Sequence, residues 1–354
     1  MLLRVTERGM YCEAGDFFID PWLPVDRAVI THAHGDHARW GCARYLGSVE
    51  GARVMRTRLG ADARIDTLEF GAAIDVRGVR VSLHPAGHIL GSAQVRLEHR
   101  GEVWVVSGDY KTEPDPTCTP FEPVRCHTFI TESTFGLPIY RWSPQAETFA
   151  EIDAWWRANQ EAGRASLLFG YALGKAQRML AGVDRSIGPI FAHGAALKLN
   201  QDYRDGGIDL PPTPNPTGVA KGFDWSRALV IAPPSANGTP WMRRFGAVST
   251  GFASGWMRIR GARRRRAVDR GFVLSDHVDW PSLLDSVRAT GAERVWVTHG
   301  YREPVVRWLR DHGVEADAVA SRWEGEADDR EVDLPTDENA PDEVAEGKGM
   351  PDVS

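Results

Sequence analysis

Cysteine is scarce and never paired. The 354 residues hold four, Cys12, Cys42, Cys118 and Cys126, with no C-x-x-C spacing. That pattern excludes a zinc ribbon and a disulfide framework, and the thiols read as free and buried or half-buried. Long apolar runs are also missing: none reaches the length needed to span a bilayer. The first ten residues carry charges and no apolar h-region, so a signal peptide is not expected and a cytoplasmic location is. Positive charge is short as well, with a net charge of −6. The deficit is local. Residues 326–354 carry 11 acidic and 2 basic residues, which leaves the rest of the chain slightly positive. That stretch has no aromatic residue and no apolar period, so it is expected to be a disordered, solvating tail.

What remains is the composition of a globular protein, 42% hydrophobic and 25% charged, long enough for one large domain or two ordinary ones. The first third reads as short strands joined by turns: "MLLRVT", "MYCEA", "FFIDPW", "RAVITHA", "VRVSLHPAG", "SAQVRLEH" and "EVWVVSGDY". After "TFITESTFG" the period changes. "SPQAETFAEIDAWWRANQEAG" reads as a helix, with Ser143 as N-cap and Gly163 as its stop. Apolar strands then alternate with helix-like segments, which indicates a small parallel α/β unit. The last part returns to helix, strand and helix. The expected organisation is a β-rich core, an α/β insert, and a C-terminal completion of the core.

The stretch "VITHAHGDHAR" places His32, His34, Asp36 and His37 within six positions, just past an apolar strand. Residues two apart on an extended segment point the same way, so His32 and His34 can share one ion. Asp36 and His37 follow a glycine turn and can reach a second. His88, Asp109 and His299 stand at other strand ends. His and Asp donors without thiolate fit Zn²⁺, with Mn²⁺ as the alternative. Two such ions suit hydrolysis.

These residues resemble the metallo-β-lactamase superfamily: H-x-H-x-D-H, then G-H in a glycine-rich loop, then a strand-end Asp and a C-terminal His. "TESTFG" with Glu132, "LSDHVDW" with His277 and "THG" with His299 resemble motifs A, B and C of the β-CASP nucleases. The resemblance covers residues 1 to about 325. It implies an α/β fold, a metallo-β-lactamase αββα sandwich with an inserted β-CASP cap. The core would be residues 1–137 and 271–325, and the cap 138–270. It further implies that His32, His34 and His88 bind one ion, that Asp36, His37 and His299 bind the second, and that Asp109 bridges them. Asp20 would orient ligands from outside the metal sphere. His277 would protonate the leaving oxygen, held by Glu132.

The chain is most similar in pattern to the bacterial ligase-associated DNA exonucleases, through its N-terminal stretch and "GYALGKAQR". That implies a DNA exonuclease of repair, running 5′ to 3′ and associated with a DNA ligase and a helicase. The alternative is an RNA endonuclease or 5′-exoribonuclease of the mRNA 3′-end processing type. The motif C histidine, His299, is usual in RNA-type members and usually absent from the cross-link repair branch. A small-ester hydrolase would have no need of Glu132, His277 and the cap, and a non-catalytic scaffold none of seven metal donors.

The expected nucleic-acid contacts are basic. Arg258, Arg260, Arg263 and Arg264 lie in "MRIRGARRRRAVDR", before motif B, where arginine would neutralise phosphates. Lys175 and Arg178 stand at the start of a helix that follows a strand, a position that favours phosphate. Trp241, Trp256 and Tyr140 could stack on bases, though packing between cap and core is the expected role for most. His193 reads as structural, and His84 as a candidate partner of the metal ligands.

Overall fold

Alternating burial along the first strands builds one sheet. In β1 (Leu3–Thr6), β2 (Gly9–Cys12) and β3 (Phe17–Ile19) the inward residues are Leu3, Met10, Cys12, Phe17 and Ile19. β4 (Arg27–Val29), β5 (Arg44–Ser48) and β6 (Ile65–Leu68) complete it in the order β1-β2-β3-β4-β5-β6, and α1 (Ala52–Leu59) connects its last two strands. The computed structural model describes residues 1–259 and 267–322. Arg260, Arg263, Arg264 and the acidic stretch 326–354 lie outside the described residues.

The second sheet begins with the meander β7 (Ala73–Val76), β8 (Val79–Pro85), β9 (Ala93–His99) and β10 (Glu102–Val106), followed by β11 (Thr128–Ser133). The chain then leaves this sheet until residue 294. α2 (Gln145–Glu161), β12 (Ala165–Phe169), α3 (Lys175–Gly182), β13 (Ile190–Ala192), α4 (Gly194–Asp205), β14 (Leu229–Ala232), β15 (Val248–Ala253) and β16 (Arg270–Phe272) form a separate unit. Its strands pair in parallel in the order β13-β14-β12-β15-β16. The chain returns through α5 (Trp280–Thr290), β17 (Arg294–Gly300), α6 (Arg302–Asp311) and β18 (Glu315–Ala318). The finished second sheet reads β18-β17-β11-β10-β9-β8-β7. The third sheet ends at Phe272, just past the residue 270 boundary expected from sequence.

Three apolar clusters fix the layers. Met10, Phe17, Ile19 and Val29 of the first sheet meet Val81, Val95, Leu97 and Trp104 of the second. The other face of the second sheet, with Val105, Phe129 and Val295, is covered by Leu283 and Val287 of α5 and Val305 and Leu309 of α6. The other face of the first sheet shares a cluster with α1 and with the insert: Ala28, Ile30, Tyr45 and Met55 pack with Trp156, Leu173, Met179 and Leu199. The result is a mixed α/β fold with three sheets, consistent with a metallo-β-lactamase type. Among the described residues no helix is long and apolar enough to cross a membrane.

The helix expected after Ser143 begins at Gln145, with Pro144 in the cap position. The Gln145 N–H donates to Glu113 Oε1 at 2.8 Å, so a carboxylate from another loop satisfies the helix start in place of Ser143. The helix ends at Glu161, and Gly163 follows with φ +68°, a left-handed turn that suits glycine.

Candidate metal centre and its histidine–glutamate pair

The expected donors come together because each sits at or just past a strand end. His32, His34, Asp36 and His37 follow β4, His88 follows β8, and Asp109 follows β10. Glu132 and His299 lie near the ends of β11 and β17, and His277 follows β16. Parallel pairing of β10, β11 and β17 brings three of these ends side by side.

The first group is tight. His32 Nε2 lies 3.0 Å from His34 Nδ1, and His88 Nε2 lies 3.1 Å from the same atom. Asp109 Oδ2 lies 3.6 Å from His32 Nε2 and 4.0 Å from His88 Nε2. One ligand atom from each of these four residues fits within 4.8 Å of the others. Donors around a tetrahedral Zn²⁺ stand roughly 3.3 Å apart, given bonds of about 2.0 Å.

Proton placement shows that the group fits a cation. A carbonyl can only accept, so the nitrogen facing it carries the proton. His34 Nε2 donates to the Leu173 carbonyl at 3.3 Å, and His88 Nδ1 donates to the Asp276 carbonyl at 2.9 Å. The Thr31 hydroxyl donates to Asp20 Oδ2 at 2.6 Å, so it accepts from His32 Nδ1 at 3.0 Å. All three imidazoles thus direct protons outward and lone pairs inward. Lone pairs on His32 and His88 that each stand about 3 Å from that of His34 repel it unless a cation lies between them. Burial, then the neighbouring imidazoles His37 and His277, push His32 and His88 well below the ordinary histidine range, which keeps them in the neutral, ligating form.

The second group is wider. His37 Nε2 lies 3.6 Å from Asp36 Oδ2 and 3.5 Å from Asp109 Oδ2. His299 Nε2 lies 3.1 Å from Asp109 Oδ1, and the His37 and His299 ring centroids are 6.0 Å apart. Asp109 therefore lies between the groups, with Oδ2 facing His32, His88 and His37 and Oδ1 facing His299. Its Oδ1 is buried, with His299 Nε2 against it. Burial pushes the Asp109 carboxyl up, but His37 and His299 outweigh it and hold the group well below the usual range. His37 behaves differently from His32. Burial pushes it down, yet Asp109, Asp36 and Asp20 outweigh that and hold it well above the histidine range.

Asp20 organises both groups from behind. Its Oδ1 accepts from the Thr31 backbone N–H at 2.8 Å, and its Oδ2 accepts from His37 Nδ1 at 2.8 Å as well as from the Thr31 hydroxyl. Asp20 is fully buried and holds φ +42°, a strained backbone for a non-glycine residue.

Beside the first group, His277 Nδ1 donates to Glu132 at 2.9 and 3.0 Å and stands 4.0 Å from Asp109 Oδ2. Glu132 Oε1 also accepts the Tyr110 backbone N–H at 2.8 Å. Both side chains are buried. A cavity of about 200 Å³ opens on His277, lined by Lys111, Trp142 and Asp279. Trp142 Nε1 donates to the His277 carbonyl at 3.0 Å and fixes that wall.

The expected basic contacts divide. Arg258 is exposed, and its Nε donates to the Ile139 carbonyl at 3.4 Å. Lys175 and Arg178 correct the sequence reading, because both are buried and neither faces solvent. Lys175 Nζ pairs with Asp276 Oδ2 at 3.1 Å, and Arg178 Nε pairs with Asp276 Oδ1 at 2.9 Å. Two carboxylates, Asp276 and Asp115, already compensate these cations, so neither is open to a phosphate. Among the aromatic residues, Tyr140 is fully buried, while Trp241 and Trp256 are half-buried against Phe245 and Phe135. His193 caps α4, accepting from the Ala195 N–H. His84 bonds Ser82 and Glu122 rather than a metal donor. Sequence reasoning missed Thr31, Thr298 and Asp276, and the carbonyls of Leu173 and Asp276. Asp276 carried one signal, its place beside His277 in "SDH".

No family model matches the chain. A protein named "Probable DNA ligase" from Opitutus terrae is 32% identical over 349 residues, which is 97% of this chain and 33% of that protein. Cleavage and polyadenylation specificity factor 73 of Drosophila melanogaster is 29% identical over 182 residues, 49% of this chain and 26% of its own length. Endoribonuclease YSH1 of Saccharomyces cerevisiae is 29% identical over 123 residues, 34% of this chain and 16% of its own. The chain thus spans a third or less of the length of these relatives. Among solved structures, a protein of unknown function from Enterococcus faecalis is similar with a TM-score of 0.57 at 10% identity, over 84% of this chain and 80% of that one, which bears on the fold alone. With the motif order, these relatives make the chain similar to the β-CASP nucleases of the metallo-β-lactamase superfamily.

Proposed function

We propose that the protein is a two-metal phosphodiesterase that cuts nucleic acid, and that it is a DNA exonuclease of repair running 5′ to 3′. The observation that carries the hydrolytic reading is the buried His277–Glu132 pair set against Asp109 and the first histidine group. Two divalent ions, Zn²⁺ favoured and Mn²⁺ the alternative, would supply Lewis acidity at the phosphoryl group and an acidified water. His32, His34 and His88 would hold one ion, Asp36, His37 and His299 the other, with Asp109 between them. Asp20 keeps His37 and, through Thr31, His32 in the ligating tautomer.

The proton chemistry belongs to the chain itself. Because His277 Nδ1–H donates to Glu132, Nε2 is the atom that delivers a proton to the leaving oxygen. The Tyr110 N–H holds Glu132 in place for this. The cavity beside His277 gives the leaving strand a path, with the Lys111–Glu113 ion pair at 3.1 Å in its wall. Burial, then the Arg178 charge, lowers Lys111 to about 8.

In this reading residues 138–270 are the β-CASP cap, residues 1–137 and 271–325 the core, and substrate lies between them. Arg258, with Arg260, Arg263 and Arg264, would meet phosphates from the cap side. The relative named a probable DNA ligase supports DNA and a partnership with a ligase; the proposal further includes a helicase partner and a cytoplasmic location. A second reading, an RNA endonuclease or 5′-exoribonuclease, has its own support in His299 and in the relatives named endoribonuclease. Digestion of end-labelled single-stranded DNA, duplex DNA and RNA of one sequence, with Zn²⁺ or Mn²⁺, tests both. DNA ladders that shorten from the 5′ end are expected. RNA cut far faster than DNA would overturn the DNA assignment, and no cleavage of any of them would overturn the nuclease.

A further inference from the structure

One of the three imidazoles in the first group takes its outer partner from the insert, and a second takes a partner that the insert's α3 holds in place. His34 donates to the carbonyl of Leu173, in the turn between β12 and α3 of the insert. His88 donates to the carbonyl of Asp276, just after β16, the insert's last strand. The Asp276 side chain is in turn gripped from α3, by Lys175 Nζ at 3.1 Å and Arg178 Nε at 2.9 Å. Lys175 Nζ donates to the Leu274 carbonyl at 3.0 Å, so it holds the same loop at a second point. Arg178 donates to the His88 carbonyl at 3.1 Å, reaching the ligand's own backbone, and pairs with Asp115 Oδ2 at 3.4 Å. The turn is built for close approach. Gly174 has φ +83°, and a Cβ there would overlap Ile89, the residue after His88.

We infer that the insert completes the first metal position, with Arg178 and Lys175 as positioning residues that act through Asp276 on His88. This rests on the metal reading of the site. Two buried cations on one buried carboxylate leave the Asp276 loop a single arrangement, because any other would strand a buried charge. That arrangement aims one carbonyl at His88 Nδ1 and so fixes which nitrogen faces the ion. Leu173 does the same for His34. The second position differs: the outer partners of His37 and His299 are Asp20 and Thr298, both in the core. The inference therefore predicts unequal effects on two ions that share a bridging carboxylate.

The test is Zn²⁺ binding by the full chain, titrated against a chromophoric chelator, with Co²⁺ absorption as a second readout. The wild-type chain is expected to bind two ions. Arg178→Met is expected to weaken one of them about 10- to 100-fold, the usual effect of losing an outer-sphere partner. The other ion should stay within a few-fold, and Arg178→Lys should recover part of the loss. The Co²⁺ spectrum should change for the weakened ion only. Circular dichroism and the melting temperature of the metal-free variants check folding. If Arg178→Met does not fold, Lys175→Met, which leaves Arg178 on Asp276, carries the same test with a smaller expected loss. Two ions bound with wild-type affinity by a folded variant would overturn the inference, as would equal weakening of both. A wild-type chain that binds no divalent ion would instead remove the metal reading beneath it.

Discussion

Glu132 holds His277 with both carboxylate oxygens, at 2.9 and 3.0 Å from Nδ1, in a fully buried setting. A histidine held this way has one ring nitrogen committed and the other available to a reacting group. His277→Ala is expected to lower turnover by about 10²- to 10⁴-fold, the range for loss of a general acid. Glu132→Gln, which removes the charge and keeps the shape, should cost about 10²-fold. Metal content should stay near that of the parent in both. A metal-free His277→Ala protein would contradict the assigned role.

Asp109 has a different place, between the two donor groups, with Oδ2 facing His32 and His37 and Oδ1 facing His299. Asp109→Ala is expected to abolish turnover and bound metal together, read by activity assay and by elemental analysis of the dialysed protein. Full retention of both ions would show that Asp109 is not the bridge.

Asp20 makes three hydrogen bonds from a buried position, to the Thr31 N–H, the Thr31 hydroxyl and His37. Asp20→Ala leaves these donors unsatisfied, at a cost of about 3 kcal/mol. Guanidinium unfolding of the metal-free protein measures that cost. Metal affinity should fall about 10- to 100-fold in addition. Unchanged values for both would mean that water replaces the carboxylate at no cost.

Gly91 controls the loop that carries His88. It has φ +73°, and a Cβ there would overlap the Gly51 backbone. Its carbonyl accepts from the Ser48 hydroxyl at 2.6 Å. Gly91→Ala is expected to destabilise the protein by more than about 2 kcal/mol through strain and overlap. Gly78→Ala is a control for strain alone: φ is +82°, with no atom near the added Cβ. The first variant should melt well below the second.

The cysteines give a test of packing. Cys12, Cys118 and Cys126 are buried, and Cys42 is half-buried. Burial pushes the Cys118 and Cys126 thiols up to about 12, so both stay protonated at pH 8. A thiol reagent at pH 8 should label the native chain at Cys42 only, and all four after denaturation. Rapid native labelling of Cys126 would show that it is not buried in the native chain.

Much of the donor set was legible because each donor is a side chain with few other uses at a strand end. "HAHGDH" is dense enough to read unaided, and Asp109 and His299 follow "VVSG" and "VWVT" in a form that marks a strand running out. The outer partners were not legible, for a physical reason: Leu173 and Asp276 act through carbonyls, which every residue has. Lys175 and Arg178 show the same limit from another side. In sequence they are cations at a helix start after a glycine, the pattern of a phosphate site. Only the fold reveals that Asp276, far along the chain, already occupies them. Ser143 was displaced similarly, by a carboxylate from a distant loop.

The distance along the chain between His34 and Leu173, and between His88 and Asp276, bears on biogenesis. A ribosome delivers the "HAHGDH" loop long before the carbonyls that set its tautomers. An ion that arrives early meets imidazoles free to turn either nitrogen toward it, and binds them weakly. In the metal reading, firm capture in the first position waits for Asp276, which follows His88 by 188 residues. In that reading, loading of the first position follows the synthesis of the insert and of the loop that carries Asp276.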